Sequence, residues 1–279
     1  MKKLIPLTLL VLMSCGKSTD KIDVATPVVK AITKTTSSSI INGTLIKDED
    51  LASKSTVALV GMFSSPFCSG TLVSENLVLT AAHCVSRWTE KSFFKSSKRV
   101  TVLSNIGFKL NSSEDVTKLE MEAVELYPIK KEKEQFYHDI ALVKFKGVLP
   151  KEFKPVAILA PEYKLVGNKD LILAGFGLTS SDESDTPTSY QIRIPYKGSD
   201  GDILILNQLN GKEGAYHGDS GGPAYLESKD ELLLAGSTIG GLDGESEVYY
   251  SKVSAYKQFI LDSAKKLNGT LPVFKNPEE

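Results

Sequence analysis

Three residues far apart in the chain have the types that acyl-transfer chemistry needs. They are His83 in Thr80-Ala81-Ala82-His83-Cys84, Asp139 in His138-Asp139-Ile140-Ala141-Leu142, and Ser220 in Gly218-Asp219-Ser220-Gly221-Gly222-Pro223. A serine hydroxyl is a poor nucleophile until a base takes its proton, and a carboxylate must hold that base in the right tautomer. Glycines around Ser220 permit a sharp turn and let amide N–H groups approach a substrate carbonyl. Taken singly, each segment also has a bland reading: a structural histidine, a turn or cap aspartate, an ordinary glycine-rich turn. The chain holds only three histidines, His83, His138 and His217. That scarcity narrows the search for a base and argues against a multi-histidine metal site.

Together, and in the order His, Asp, Ser, these segments resemble the chymotrypsin/trypsin family of serine endopeptidases. Other triads of the same chemistry run in other orders. The resemblance spans about residues 40–267. It implies an all-β fold of two packed six-stranded antiparallel β-barrels with a C-terminal helix. Barrel one covers about 40–150, barrel two about 155–255 and the helix about 253–267, with a tail over 268–279. It also implies roles. Ser220 is the nucleophile, His83 the general base, and Asp139 the orienting carboxylate. The N–H groups of Gly218 and Ser220 form the oxyanion hole. His138 neighbours Asp139, but adjacent strand residues face opposite ways, so it receives no catalytic role.

The same resemblance gives Asp219 a partner: the α-amino group of Ile40, in Ile40-Ile41-Asn42-Gly43, freed by a cut after Ser39. It pairs Cys68 with Cys84, closing the loop that carries His83. Such a bridge is worth on the order of 3 kcal/mol on the chain-entropy model. The specificity pocket is expected around Gly214, Ala215, His217, Gly241 and Val248. Trypsin-like members carry an acid where this chain has Gly214, so cleavage after Lys or Arg is not expected. Val248 stands where a Gly usually admits large side chains, which favours small or medium apolar residues. His217 reads equally as an exposed loop residue. Ile239 and Gly240 replace a Ser and a Trp of the family. With no disulfide beside the nucleophile, the pocket walls are expected to rest on packing alone.

The elements that must position these residues are short apolar or alternating runs separated by Gly, Asn, Ser and Pro. Thr56–Met62, Gly70–Thr80, Ile140–Phe145, Leu171–Ala174, Gln191–Pro195, Ile203–Leu206 and Leu232–Thr238 read as strands. Apolar Tyr256, Phe259, Ile260, Ala264 and Leu267 mark one face of a closing helix.

The chain has 279 residues, a formal net charge of −1 and 41% hydrophobic content. That supplies sizeable cores and gives no electrostatic case for nucleic acid or an anionic membrane surface. Lys2 and Lys3 precede an apolar run over Leu4–Met13, too short to span a bilayer. It ends in Leu12-Met13-Ser14-Cys15, which resembles a bacterial lipobox. Residues 1–14 then form the signal peptide, with Cys15 lipidated and 15–39 a polar tether or pro-segment. An ordinary secretory signal is the alternative. Gly16 favours the outer membrane or cell surface, with release as a soluble enzyme after a cut before Ile40. No cofactor is implied. The expected partners are protein or peptide substrates, with membrane contact only through lipid on Cys15 and a monomeric state. A catalytically weak homologue acting as a binding module and an esterase-like acyl hydrolase are the other readings.

Overall fold

The computed structural model describes residues 40, 43–60, 66–89, 107–110, 119–127, 130–132, 135–167, 169–177, 189–208, 214–215, 217–241 and 246–278. The expected signal peptide, Cys15, the tether and Ser39 lie outside them, as does most of the Ser180–Ser189 loop.

The chain runs through β1 (Thr44–Leu45), β2 (Thr56–Val60), β3 (Pro66–Ser74), β4 (Leu77–Thr80), α1 (Ala82–Thr89), β5 (Gly107–Leu110), β6 (Leu119–Leu126), β7 (Lys130–Glu132), β8 (Gln135–Tyr137) and β9 (Ala141–Lys146). It continues through β10 (Ala157–Leu159), β11 (Asp170–Gly175), β12 (Tyr190–Asp200), β13 (Ile203–Asn207), β14 (Pro223–Ser228), β15 (Glu231–Gly241), β16 (Glu247–Lys252), α2 (Lys257–Lys266) and β17 (Phe274–Lys275). Strands β2-β3-β4-β9-β6-β5 close into one antiparallel barrel. In the second sheet β14-β11-β12-β13-β16-β15 form a path that the β14–β15 pairing closes into a second ring. Closure leaves those strands without open edges, which is how antiparallel folds dispose of unpaired backbone groups.

Composition explains the strands. Thr56-Val57-Ala58-Leu59-Val60 is buried throughout, as is Leu77-Val78-Leu79-Thr80. Branched residues fit a pleated surface packed on both sides. The run read as one strand over Gly70–Thr80 breaks at Glu75-Asn76 into β3 and β4, which pair with each other. Asn76 serves the break: its carbonyl accepts from Phe145 N–H at 3.1 Å, and its side-chain oxygen from Thr270 N–H at 2.9 Å. Of Thr56–Met62, the strand holds Thr56–Val60; Gly61 and Met62 lie outside the described residues.

The closing helix starts later than its apolar spacing suggests. Val253–Tyr256 form a 3-10 turn and α2 begins at Lys257. Its expected face is buried: Tyr256, Ile260, Ala264 and Leu267 join a core cluster with Leu77, Leu79 and Ile140 of barrel one and Ile158 and Leu234 of barrel two. Residues 268–278 are more than a tail. Gly269 packs against Leu77, and β17 pairs in parallel with β10. Ile158 and Ala160 donate to the carbonyls of Val273 and Lys275 at 2.8 and 2.9 Å.

Candidate active site

Strand pairing brings the first two residues together. The last residue of β4, Thr80, lies opposite the first of β9, Ala141. Because the strands are antiparallel, the chain leaving β4 and the chain entering β9 emerge at the same end. His83 sits there in the first turn of α1, and Asp139 sits two residues before β9. His83 N–H donates to Asp139 Oδ1 at 2.8 Å, and His83 Nδ1 lies 2.5 Å from Asp139 Oδ2. The Asp139 side chain is fully buried while that of His83 is 33% exposed. A buried carboxylate needs compensating donors, and both of these come from one histidine. The Asp139 carbonyl is held from barrel two, accepting from Ser251 Oγ at 3.1 Å.

Ser220 lies in a loop entering β14. Gly218 and Gly221 take φ of 94° and 78°, a region that side chains other than glycine adopt at a cost. Space is short as well. A Cβ on Gly221 would lie 2.1 Å from Thr80 Oγ1 and 2.6 Å from the Ser69 carbonyl. Gly221 N–H donates to Thr238 O at 2.8 Å, and Thr238 Oγ1 donates to Gly222 O at 2.9 Å. These bonds correct the expectation of walls held by packing alone.

Ser69 on β3 ties this loop to barrel one, and sequence reading missed it. Its N–H donates to Ser220 O at 2.8 Å. Its buried Oγ donates to Gly218 O at 3.0 Å and accepts from Phe176 N–H at 2.9 Å. The only sequence signal was its place beside Cys68. Cys68 and Cys84 form a disulfide with Cα atoms 6.2 Å apart. Cys84 Sγ lies 3.7 Å from His83 Nε2 and 3.6 Å from Ser220 O. The bridge therefore sits between the imidazole and the serine loop. Cys68, His83 and Cys84 form a grouping of metal-ligand types, but its two sulfurs are bonded to each other and are not thiolates.

Asp219 is 2% exposed. Its Oδ1 accepts from Gly177 N–H at 2.9 Å, and a Cβ on Gly175 would lie 2.2 Å from that oxygen. Glycines at both positions make room for the carboxylate. Ile40 is 1% exposed, within the barrel-two core beside Leu171, Leu173, Ile194 and Tyr250. Burial pushes the Tyr250 phenol far above its ordinary range, and the negative charge of Asp219 pushes the same way.

Of the expected pocket residues, Val248 is fully buried in that core, with Ala215 packed against it. Val248 pairs with Gly241 across β15–β16. Gly214 is buried with φ 145°, and its missing side chain leaves room for Gln208. His217 is exposed. Ile239 occupies the register shift between Thr238 and Gly240. His138 is not in a strand, contrary to the argument from strand alternation. It takes φ 67°, and its Nδ1 lies 3.0 Å from Tyr256 Oη and 3.9 Å from Asp202 Oδ2. Its ring packs on Tyr127.

A family model described as Trypsin matches residues 46–260. Mannan-binding lectin serine protease 1 of Mus musculus is 25% identical over 239 residues, covering 75% of this chain and 34% of that protein. The chain thus spans about a third of the length of this curated relative.

Proposed function

The chain belongs to the trypsin family, and from that premise we propose that it is a serine endopeptidase working through an acyl-enzyme. The observation that carries this reading is the doubly bonded His83–Asp139 pair, joined through the Cys68–Cys84 bridge to the loop of Ser220. In the proposed reaction His83 Nε2 takes the Ser220 proton as Oγ attacks the scissile carbonyl. Asp139 holds the Nδ1–H tautomer and stabilises the imidazolium that forms. The N–H groups of Gly218 and Ser220 receive the developing oxyanion, each such donor being worth about 10²–10³ in rate. His83 then protonates the leaving amine, and water, activated by the same base, releases the acyl group.

Two features support a shallow apolar pocket. Val248, paired in register with Gly241, is a buried β-branched residue where a glycine would leave space, and neither Gly214 nor Ala215 offers an acid for Lys or Arg. The proposed substrates are protein or peptide chains with small or medium apolar residues before the cut. Ile40 and Asp219 form the proposed activation pair after cleavage behind Ser39. Their common burial supports this, as does Tyr250, which packs with Ile40 and feels the Asp219 charge. Export as a lipoprotein through Cys15 belongs to the same proposal and rests on the leader sequence alone.

Matched peptide and ester substrates varied at the residue before the cut test the reading, combined with N-terminal sequencing of the active species. Cleavage of Ala or Val peptides by a chain beginning at Ile40 supports it. Hydrolysis of simple esters alone moves the assignment to an acyl hydrolase, and activity with Ser39 still attached removes the activation pair.

A further inference from the structure

Leu159, Tyr163, Lys164, Leu165, Tyr196, Ser199, Ala235, Lys252 and Ser254 line a cavity of about 280 Å³ that includes none of the proposed catalytic or specificity residues. We propose that this cavity is a second binding site, for a small oxyanion, grasped by Lys164 and Lys252 with help from the Tyr196–Ser199 hydroxyl pair.

Charge is the first argument. The lining contains two lysines and no carboxylate. Among the described residues, neither lysine forms an ion pair, although Lys197, Lys229 and Lys275 of the same barrel each do. Two cationic side chains lining one concavity, with no carboxylate beside them, give it a positive potential that an anion would offset.

Hydrogen bonding is the second argument. Tyr196 Oη and Ser199 Oγ lie 2.6 Å apart. Their mutual bond uses one of the two hydroxyl protons, so one remains to donate. Tyr196 is 7% exposed and held in the barrel core, which fixes where its hydroxyl sits before any ligand arrives. Leu159, Leu165 and Ala235 supply an apolar flank. The lining therefore suits inorganic phosphate or a small carboxylate with an apolar end, two sources of one oxyanion chemistry.

Isothermal titration of the full chain with sodium phosphate and with sodium phenylacetate tests the site, with sodium chloride matching ionic strength. The expected result is saturable binding of at least one of the two, weakened tenfold or more in Lys164→Ala and in Lys252→Ala. Tyr196→Phe, which keeps the ring, should weaken it severalfold. Should Lys252→Ala fail to fold, Lys252→Gln and Lys164→Ala carry the test. Phosphate binding alone assigns the ligand as phosphate-like, and phenylacetate binding alone assigns it as a carboxylate. Absence of binding to the wild-type chain, or equal binding by both lysine variants, overturns the proposal. The readout needs no peptidase activity, so its failure leaves the proposed function untouched.

Discussion

Replacing Ser69 by alanine removes a single oxygen that serves both barrels. That oxygen is fully buried, accepts from Phe176 N–H at 2.9 Å and donates to Gly218 O at 3.0 Å. Without it, a buried amide loses its acceptor, at about 1–3 kcal/mol, and a second bond of about 1 kcal/mol disappears. The expected loss of stability is therefore about 3 kcal/mol, or roughly 6–12 °C in Tm for a domain of this size. The catalytic consequence is separate. Freed from Ser69, the Gly218 carbonyl turns, and the backbone of the proposed oxyanion hole turns with it. Loss of one well-placed donor costs about 10²–10³ in rate, so partial misplacement should lower kcat at least tenfold with KM within twofold. Calorimetry and steady-state kinetics on a peptide anilide, measured well below the variant's Tm, check both numbers. An unchanged Tm would refute the hydrogen-bond argument. A lowered Tm with unchanged kcat would show that Ser69 stabilises the fold without positioning the loop.

Asp139→Asn should keep the fold but stabilise the wrong imidazole tautomer, lowering kcat about 10⁴-fold; stopped or single-turnover kinetics would show acylation as the slowed step. Alkali should unfold the protein through its buried phenols. Tyr225 is raised from 10.0 to about 12 by burial, partly offset by hydrogen bonds from Ser55 and Thr56. The folded pKa lies above the unfolded one, so the contribution of Tyr225 is complete below pH 10 and is lost as pH climbs toward 12. The slope is about 1.4 kcal/mol per pH unit for this group; Tyr225→Phe loses the Ser55 and Thr56 bonds at every pH, so urea melts should show a constant offset from wild type below pH 10 that changes only in that window. Deleting residues 270–279 strips β10 of its partner β17 and leaves Ile158 and Ala160 N–H groups without acceptors. A loss of about 2 kcal/mol is expected, with kcat unchanged because the hydrogen bonds and ion pair of the strap run to Asn76, Ile158, Ala160, Ser228 and Glu231 and not to the site residues. Thermal melts and kinetics of the truncated protein would show it.

Individual strands were legible as short apolar runs bounded by turn residues, as in Thr56–Val60 and Asp170–Gly175, while the double-barrel architecture came from the resemblance carried by the three motifs. The Cys68–Cys84 bridge was legible because it follows from a resemblance that places two cysteines around the histidine loop. Other features depend on tertiary partners that local pattern does not encode. Ser69 looks like any strand serine until Gly218 and Phe176 arrive from barrel two. Helix α1 has one short buried turn against the barrel and no capping signal. His138 departs from strand geometry because Tyr127, Tyr256 and Asp202 surround its ring, and nothing near it in sequence announces them. β17 contains only Phe274 and Lys275, too short for any periodicity, and forms because β10 offers an open edge. The register shift at Ile239 likewise belongs to the pairing of β15 with β16.

The most direct test of the central claim is covalent labelling. The purified protein is treated with a fluorophosphonate, its intact mass is read and the modified peptide is sequenced, with His83→Ala and Ser220→Ala treated in parallel. An activated Ser220 predicts one adduct on that residue in the wild type, much slower labelling in His83→Ala and none in Ser220→Ala. A chain that begins at Ile40 yet takes no adduct, or one labelled equally fast without His83, would contradict the account and leave the fold as a binding module.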